Sequence, residues 1–239
     1  GRGDYRPSPV ELVSESGSWT TDFCYVNHEL REGSAPMTCG LPTAYGGGLT
    51  LAVLLRDEAA GAELRLYYTT YPAEDVITRR AELVCTGAGL SIRKLMSLSL
   101  DLAERELKMT TFTGGWIREA HRCERAVEGT LVNESRTGFS SSRANPGFIL
   151  SEREANEEHG RVWGFNLVYS GSHMSCVSAD ERGSARVMCG ISPDRFDWRL
   201  EQGESFETPE AVMCFSAEGL GGMSRAMHDF VNRHIVRGP

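Results

Sequence analysis

The chain has 239 residues, of which 40% are hydrophobic and 24% are charged. This length suits one large all-β domain or two small ones, and the composition is typical of a globular protein without low-complexity segments. The 33 acidic and 25 basic side chains give a formal net charge of -8, which argues against nucleic acid and against an anionic membrane surface as partners.

Seven cysteines are spread along the chain, and none forms the close pairs of a zinc site or a C-x-x-C redox motif. They predict buried thiols in a reducing, cytoplasmic protein. The N-terminal residues lack the apolar core of a signal peptide, and no stretch approaches 18 uncharged apolar residues. We therefore expect neither export nor a membrane span, and we expect no metal site.

Most of the chain predicts short β-strands. Residues 49–72 predict a β-hairpin, because two β-rich runs flank a polar turn that contains glycine. Residues 75–102 repeat this pattern around the sequence TGAG, and residues 160–191 predict two or three further strands. The triple glycine at 46–48 lacks the Lys and Ser/Thr of a phosphate-binding loop, so it predicts a mobile turn.

The C-terminal segment breaks the strand pattern. From Gly221 onward, apolar residues recur at helical spacing, which predicts an amphipathic helix with one face against the sheets. These residues are Met223, Met227, Phe230, Val231 and Ile235. No linker rich in Pro, Ser or Gly divides the chain, so we expect one domain over residues 1–239. The predicted fold class is all-β, a large β-sandwich closed by one C-terminal α-helix.

The sequence TFTGGWIREA places Trp116 directly after two glycines and just before Arg118 and Glu119. Sugar rings have an apolar C–H face and a rim of hydroxyl groups, so sugar sites pair an aromatic platform with charged or amide groups. This segment has that composition. Two interpretations stay open, a platform for a sugar or a buried tryptophan that fills a corner of the sandwich.

The remaining aromatic and titratable residues give weaker signals. Trp19, Trp163 and Trp198 lie in strand-like contexts and are predicted to be core or sheet-surface residues. His159 lies among carboxylates, where it could act as an acid or base or pair with a neighbouring glutamate. Neither a nucleophile with its base nor a pair of facing carboxylates can be picked out, so no catalytic residue is predicted.

Five segments occur in the order of a known family: GLPTAYGG, DVITRRAEL, GGWIREAHRCERAVEGT, ESRTGFSSSRANPGF, and GESFETPEAV followed by GLGGMS. With them, the chain from about Thr21 to its last residue resembles the N-terminal domain of family 36 glycoside hydrolases, the large bacterial α-galactosidases. The resemblance implies a β-supersandwich that packs in front of a catalytic (β/α)₈ barrel.

In that family the barrel supplies two aspartates, a nucleophile and an acid/base, for retaining hydrolysis. Neither aspartate motif occurs here, so the resemblance implies that the barrel follows residue 239 and that further sequence precedes Gly1. It also implies that Trp116 contacts the terminal galactose. The expected substrate is a galactose-containing oligosaccharide such as raffinose or melibiose, hydrolysed without a metal or organic cofactor by a homotetramer.

Two alternatives from other classes stay open. The chain could be a stand-alone carbohydrate-binding or scaffold module, which would bind sugar without a barrel. It could also be a mutarotase-like epimerase, which would need a histidine such as His159 to converge with a carboxylate in a cleft.

Overall fold

The computed structural model describes residues 6–104, 106–140, 143–181 and 183–238, and within these ranges the predicted all-β fold is confirmed. The strands are β1 (Val10–Ser14), β2 (Cys24–Glu32), β3 (Leu49–Asp57), β4 (Ala62–Tyr71), β5 (Val76–Cys85), β6 (Gly89–Leu102), β7 (Leu107–Gly115), β8 (Arg118–Ala126), β9 (Thr130–Ser135), β10 (Ala144–Glu152), β11 (Val162–Val168), β12 (His173–Ala179), β13 (Ala185–Ile191), β14 (Trp198–Glu201), β15 (Ser205–Glu207) and β16 (Glu210–Ser216).

The strands form two antiparallel layers. The larger sheet has ten strands in the order β2-β3-β4-β5-β16-β11-β10-β7-β8, with β15 also paired to β5. The smaller sheet has six strands in the order β1-β6-β13-β12-β9, with β14 also paired to β6. The strands β2 and β8 therefore form the two edges of the larger sheet.

The hairpin predicted over residues 49–72 is confirmed, since β3 and β4 pair from Asp57 opposite Ala62 onward. The pair predicted over residues 75–102 exists as two strands, but β5 and β6 belong to different sheets. The sequence TGAG is thus a corner between the layers instead of a hairpin turn. Gly61 and Gly87 pack against each other at this corner, where a Cβ on Gly61 would lie 2.8 Å from the Gly87 Cα.

The core fills the space between the layers. Phe148 and Phe165 of the larger sheet stack with their ring centroids 4.8 Å apart. They belong to the same buried cluster as Leu98, Val177 and Val187 of the smaller sheet. Complete burial of such side chains stabilises a fold by about 1.5–3 kcal/mol each, so this contact between the layers is a main source of stability.

The C-terminal helix is confirmed, but it begins two residues before Gly221. Helix α1 spans Gly219–Phe230 and continues into a π-helical turn, Val231–Ile235, and its N-cap residue is Glu218. Met223 and Phe230 are buried, as the periodicity predicted. None of the described helices has the length and apolar character needed to cross a bilayer.

A set of polar contacts, which we call the C-terminal clamp, holds the π-helical turn. The Tyr45 amide donates to the His234 carbonyl at 3.0 Å, and the His234 Nδ1 lies 2.8 Å from the Tyr45 carbonyl oxygen. The buried Glu74 carboxylate accepts from Arg233 at 2.7 Å and lies 3.2 Å from the His234 Nε2. The glycines at 46–48, expected to form a mobile turn, directly follow Tyr45 in the loop between β2 and β3. The Gly48 amide donates to the Thr70 carbonyl at 2.7 Å.

All seven cysteine thiols are free, but the expectation that all are buried is wrong. Four are buried, and the exposed ones are Cys24, Cys39 and Cys123. Cys24 lies on β2 and Cys123 on β8, the two edge strands, whose residues are almost all exposed. Strand periodicity alone could not identify these edges, because it does not reveal how the strands pair.

Candidate functional site

Trp116 lies at the tip of the hairpin formed by β7 and β8. Gly115 pairs with Arg118, so the turn consists of Trp116 and Ile117 alone. The register shifts between Thr113 and Gly115, which makes a β-bulge next to the tip. Bulges of this kind increase local twist and change the direction of a side chain.

The backbone of the tip is fixed by close contacts. Gly114 approaches the opposite strand so closely that a Cβ there would overlap the Arg118 carbonyl oxygen. Ile117 has a φ of 65°, which is rare for a β-branched residue and costs free energy. The Glu119 carboxylate stabilises this conformation, because it accepts the Ile117 amide at 3.0 Å. Glu119 therefore holds the corner, and the Arg118 side chain is exposed.

The Trp116 side chain is 88% exposed, and Ile117 is 75% exposed. Burial of the indole in a corner of the described sandwich is therefore excluded. A strained backbone and an aromatic side chain exposed to water both cost free energy. Such features occur at binding sites. The indole is thus available to a ligand or to another part of a larger protein.

Charged pairs stiffen the base of this hairpin. Lys108 of β7 and Glu124 of β8 form an ion pair at 3.0 Å, and Arg122 also contacts Glu124. The hydrogen bond from Lys108, together with Arg122, holds the pKa of Glu124 below its ordinary value. These cross-strand contacts position the turn, although the strand lies at the edge of the sheet.

The other predicted residues do not join Trp116. Trp163 is buried on β11, and Trp198 is a half-exposed surface residue of β14, both as expected. Trp19 is exposed in an irregular segment, so its strand-like interpretation is wrong; the strand β1 ends at Ser14, before the Gly17 turn. The His159 amide donates to the Asn156 side chain, and within the described ranges its ring has no ion-pair or hydrogen-bond partner.

His159 and a carboxylate therefore do not form the converging pair that an epimerase would need. No group of three or more His, Cys, Asp or Glu residues in the described part of the chain is arranged to hold a metal ion. What the arrangement at Trp116 can supply is contact and orientation, since a flat apolar ring precedes the charged residues Arg118 and Glu119 on a stiff hairpin.

A second aromatic surface was missed by sequence reasoning. Phe196, Trp198 and Phe206 line a cavity of about 570 Å³, which we call the aromatic cleft. The signal for it was present in the sequence SPDRFDW, where two aromatic residues at alternate positions follow a Pro-Asp turn. Phe206 comes from a different strand, β15, and only the folded chain brings it to the other two rings.

Comparison with known proteins agrees with the family resemblance of the sequence. The family model for the glycosyl hydrolase family 36 N-terminal domain matches residues 1–201. The α-galactosidase AgaA of Geobacillus stearothermophilus is 37% identical over 244 residues, which cover 100% of this chain and 33% of that protein. The α-galactosidase C of Emericella nidulans is 37% identical over 242 residues, which cover 99% of this chain and 32% of that protein.

Solved structures agree with the curated relatives. The crystal structure of the α-galactosidase AgaB from Geobacillus stearothermophilus has a TM-score of 0.96 at 37% identity, covering 100% of this chain and 34% of that one. A variant of AgaA in complex with stachyose has a TM-score of 0.94 at 36% identity, covering 98% of this chain and 33% of that one. The chain spans about a third of the length of these relatives. It belongs to the family of glycosyl hydrolase family 36 N-terminal domains.

Proposed function

We propose that this chain is the single β-sandwich domain, residues 1–239, of a retaining α-galactosidase that removes terminal α-linked galactose from oligosaccharides. The family membership supports this, as do crystal structures of AgaA variants in complex with stachyose and with raffinose. In this proposal the catalytic aspartates lie on a barrel domain that follows the sandwich in the parent protein. The sandwich itself supplies binding contacts and no proton transfer.

The role proposed for Trp116 is to form one wall of the galactose site. The observation that carries this role is the 88% exposure of an indole on a tip whose backbone is held by Gly114 and Glu119. A tip whose backbone is fixed before binding loses little conformational entropy when the sugar packs on its aromatic ring. It would therefore favour galactose without taking part in bond cleavage.

The test is Trp116→Ala in the full-length protein, with kcat/KM for raffinose as the readout. We expect a fall of about tenfold or more, equivalent to at least ~1.4 kcal/mol of lost binding in the transition state. Trp116→Phe should keep part of the activity, because it keeps a ring. Trp19→Ala is the matched control, as it removes another exposed indole from an irregular segment. If Trp116→Ala and Trp19→Ala both equal the wild type, Trp116 has no such role.

The division of labour is tested with the isolated chain. Incubated with an aryl α-galactoside, it should release no aglycone, because hydrolysis needs the paired carboxylates of the barrel. Turnover by the isolated chain would contradict the proposal. Galactose binding by the isolated chain is measured by tryptophan fluorescence. Strong binding without turnover would instead favour a stand-alone carbohydrate-binding module.

We also propose a cytoplasmic homotetramer for the parent protein, acting without a metal or organic cofactor. Support for the location comes from the seven free thiols, which suit a reducing compartment. Support for the tetramer comes from the family resemblance, and sedimentation equilibrium of the full-length protein tests it. A mass of one or two chains in that experiment would refute the tetramer.

A further inference from the structure

The aromatic cleft is built from segments other than the β7–β8 hairpin, none of whose residues lines it. Its volume of about 570 Å³ falls within the range of about 300–1,000 Å³ that is typical of small-ligand sites. Its lining includes the rings of Tyr169, Phe196, Trp198 and Phe206, together with the charged and hydroxyl residues Asp194, Arg195 and Ser205. It therefore combines an apolar surface with groups that can donate and accept hydrogen bonds.

The rings of Phe196, Phe206 and Trp198 support one another and leave the indole accessible. Phe206 lies in the middle, with its centroid 5.7 Å from that of Phe196 and 5.3 Å from that of Trp198. Trp198 is 50% exposed. Because Trp198 pairs with Ile92 in the ladder between β14 and β6, its backbone is fixed within the smaller sheet. The indole thus offers a rigid apolar surface to a ligand in the cleft.

A tight turn presents the charged groups beside the rings. The Phe196 amide donates to the Pro193 carbonyl at 3.2 Å, which closes the turn over Asp194 and Arg195. Arg195 has a φ of 58°, an unfavourable conformation for a residue other than glycine. The Ser192 hydroxyl accepts the Asp194 amide at 3.3 Å and supports this geometry. Backbone strain next to an exposed aromatic ring is a feature of binding sites.

Buried contacts also fix the opposite wall of the cleft. Glu207 is 6% exposed, and its Oε2 accepts the amides of Thr38 and Cys39 at 2.8 and 2.9 Å. Its Oε1 accepts Arg80 at 3.0 Å. Since both carboxylate oxygens are already satisfied, Glu207 acts as a support for Cys39 and leaves ligand contacts to the exposed side chains. The cleft is therefore formed before any ligand binds.

Strand topology places the cleft and Trp116 at the same end of the sandwich. The last residues of β7 pair with the first of β10, with Thr113 opposite Ala144. The segment before β10 reaches the loop after β11, where the Ser140 amide donates to the Ser170 carbonyl at 2.7 Å. Ser172, in that same loop, lines the cleft.

We propose that the aromatic cleft is a second sugar site, which binds a hexose unit of a neutral oligosaccharide by stacking on Trp198 with hydrogen bonds to Asp194 and Arg195. Asp194 and Arg195 carry opposite charges and Glu207 is paired with Arg80, so the lining has no excess positive charge, and the chain as a whole carries a charge of -8; an anionic ligand is therefore disfavoured. The choice of a galactose oligosaccharide as probe rests on the function proposed above. The site itself is separate from Trp116 and from hydrolysis.

The test uses the full-length protein with its galactose site blocked by 1-deoxygalactonojirimycin, the ligand of a solved AgaA structure. Stachyose is then titrated into the blocked protein by isothermal titration calorimetry. We expect saturable binding to remain, at one site per chain, and Trp198→Ala to weaken it at least tenfold. Trp19→Ala removes an indole of similar exposure from an irregular segment and should bind stachyose as the wild type does.

Asp194→Asn is the second variant, because it keeps the shape of the turn and removes the charged acceptor. It should weaken stachyose binding at least threefold, and it decides the question if circular dichroism shows that Trp198→Ala does not fold. The proposal is overturned if the blocked protein takes up no stachyose, or if Asp194→Asn and a folded Trp198→Ala both bind as the wild type does. The hydrolytic proposal can fail independently, because it is tested by α-galactosidase activity. A protein without that activity could still bind stachyose in a manner that depends on Trp198.

Discussion

Single buried charges fix long loops of this protein, and Glu207 is the clearest case. Burial raises the pKa of Glu207, but amide hydrogen bonds from Cys39 and Thr38 and the charge of Arg80 outweigh burial and hold the pKa below its ordinary value. A group whose pKa is lower in the folded than in the unfolded state adds stability above its unfolded pKa, about 4.3 for glutamate. That contribution is lost as the pH falls through the folded-state pKa.

We therefore expect Glu207→Gln to lower the free energy of unfolding by about 3–5 kcal/mol at pH 7, since it leaves Arg80 buried without its charge partner. The difference from the wild type should shrink steadily as the pH falls from 5 to 2. Urea unfolding at several pH values measures it, and Glu58→Gln, at a side chain that is 86% exposed, is the control. A difference that does not change with pH would show that the ionised carboxylate is not the source of the stability.

Among the elements, the β7–β8 hairpin depends on one glycine more than on its neighbour. A Cβ on Gly114 would overlap the Arg118 carbonyl, whereas a Cβ on Gly115 would meet nothing within 4 Å. Gly114→Ala should therefore destabilise the hairpin by about 1–3 kcal/mol, and Gly115→Ala should have a much smaller effect. Amide hydrogen exchange of β7 and β8, compared with that of β3 and β4, measures the difference because it detects local opening. Equal protection in the two variants would contradict the close approach.

The elements also show where sequence reasoning succeeds. Helix α1 was predictable because Met223 and Phe230 recur on one face, and β3 and β4 were predictable from a short turn between alternating runs. The exposure of Trp116 was only one of two interpretations, because the bulge and the pairing of Gly115 with Arg118 are properties of the folded hairpin. The sequence shows Phe196 and Trp198 of the aromatic cleft at alternate positions, but it could not show the third ring, since Phe206 reaches Trp198 only through pairings between distant strands.

For the molecule as a whole, the two edges of the larger sheet differ in chemistry. The edge strand β8 is rich in charged residues, which discourage pairing with another sheet, whereas β2 exposes Tyr25 at 59% and Leu30 at 66%. The purified 239-residue chain should therefore self-associate through β2. Leu30→Lys should raise the concentration at which sedimentation velocity detects association, by about tenfold.

Glu29→Gln is the matched control for that experiment, because it makes the same change in net charge on the opposite face of β2. It should leave the association unchanged. If the two variants behave alike, net charge governs the association and the apolar face of β2 does not.

The C-terminal clamp has a mechanical consequence. Tyr45 and Glu74 hold His234 and Arg233 from two separate parts of the sandwich, the loop after β2 and the turn after β4. Tension applied at Arg237 would thus have to break several of these contacts before it could unwind α1 from its end. The direction in which the chain leaves the sandwich after Ile235 is therefore fixed by these contacts.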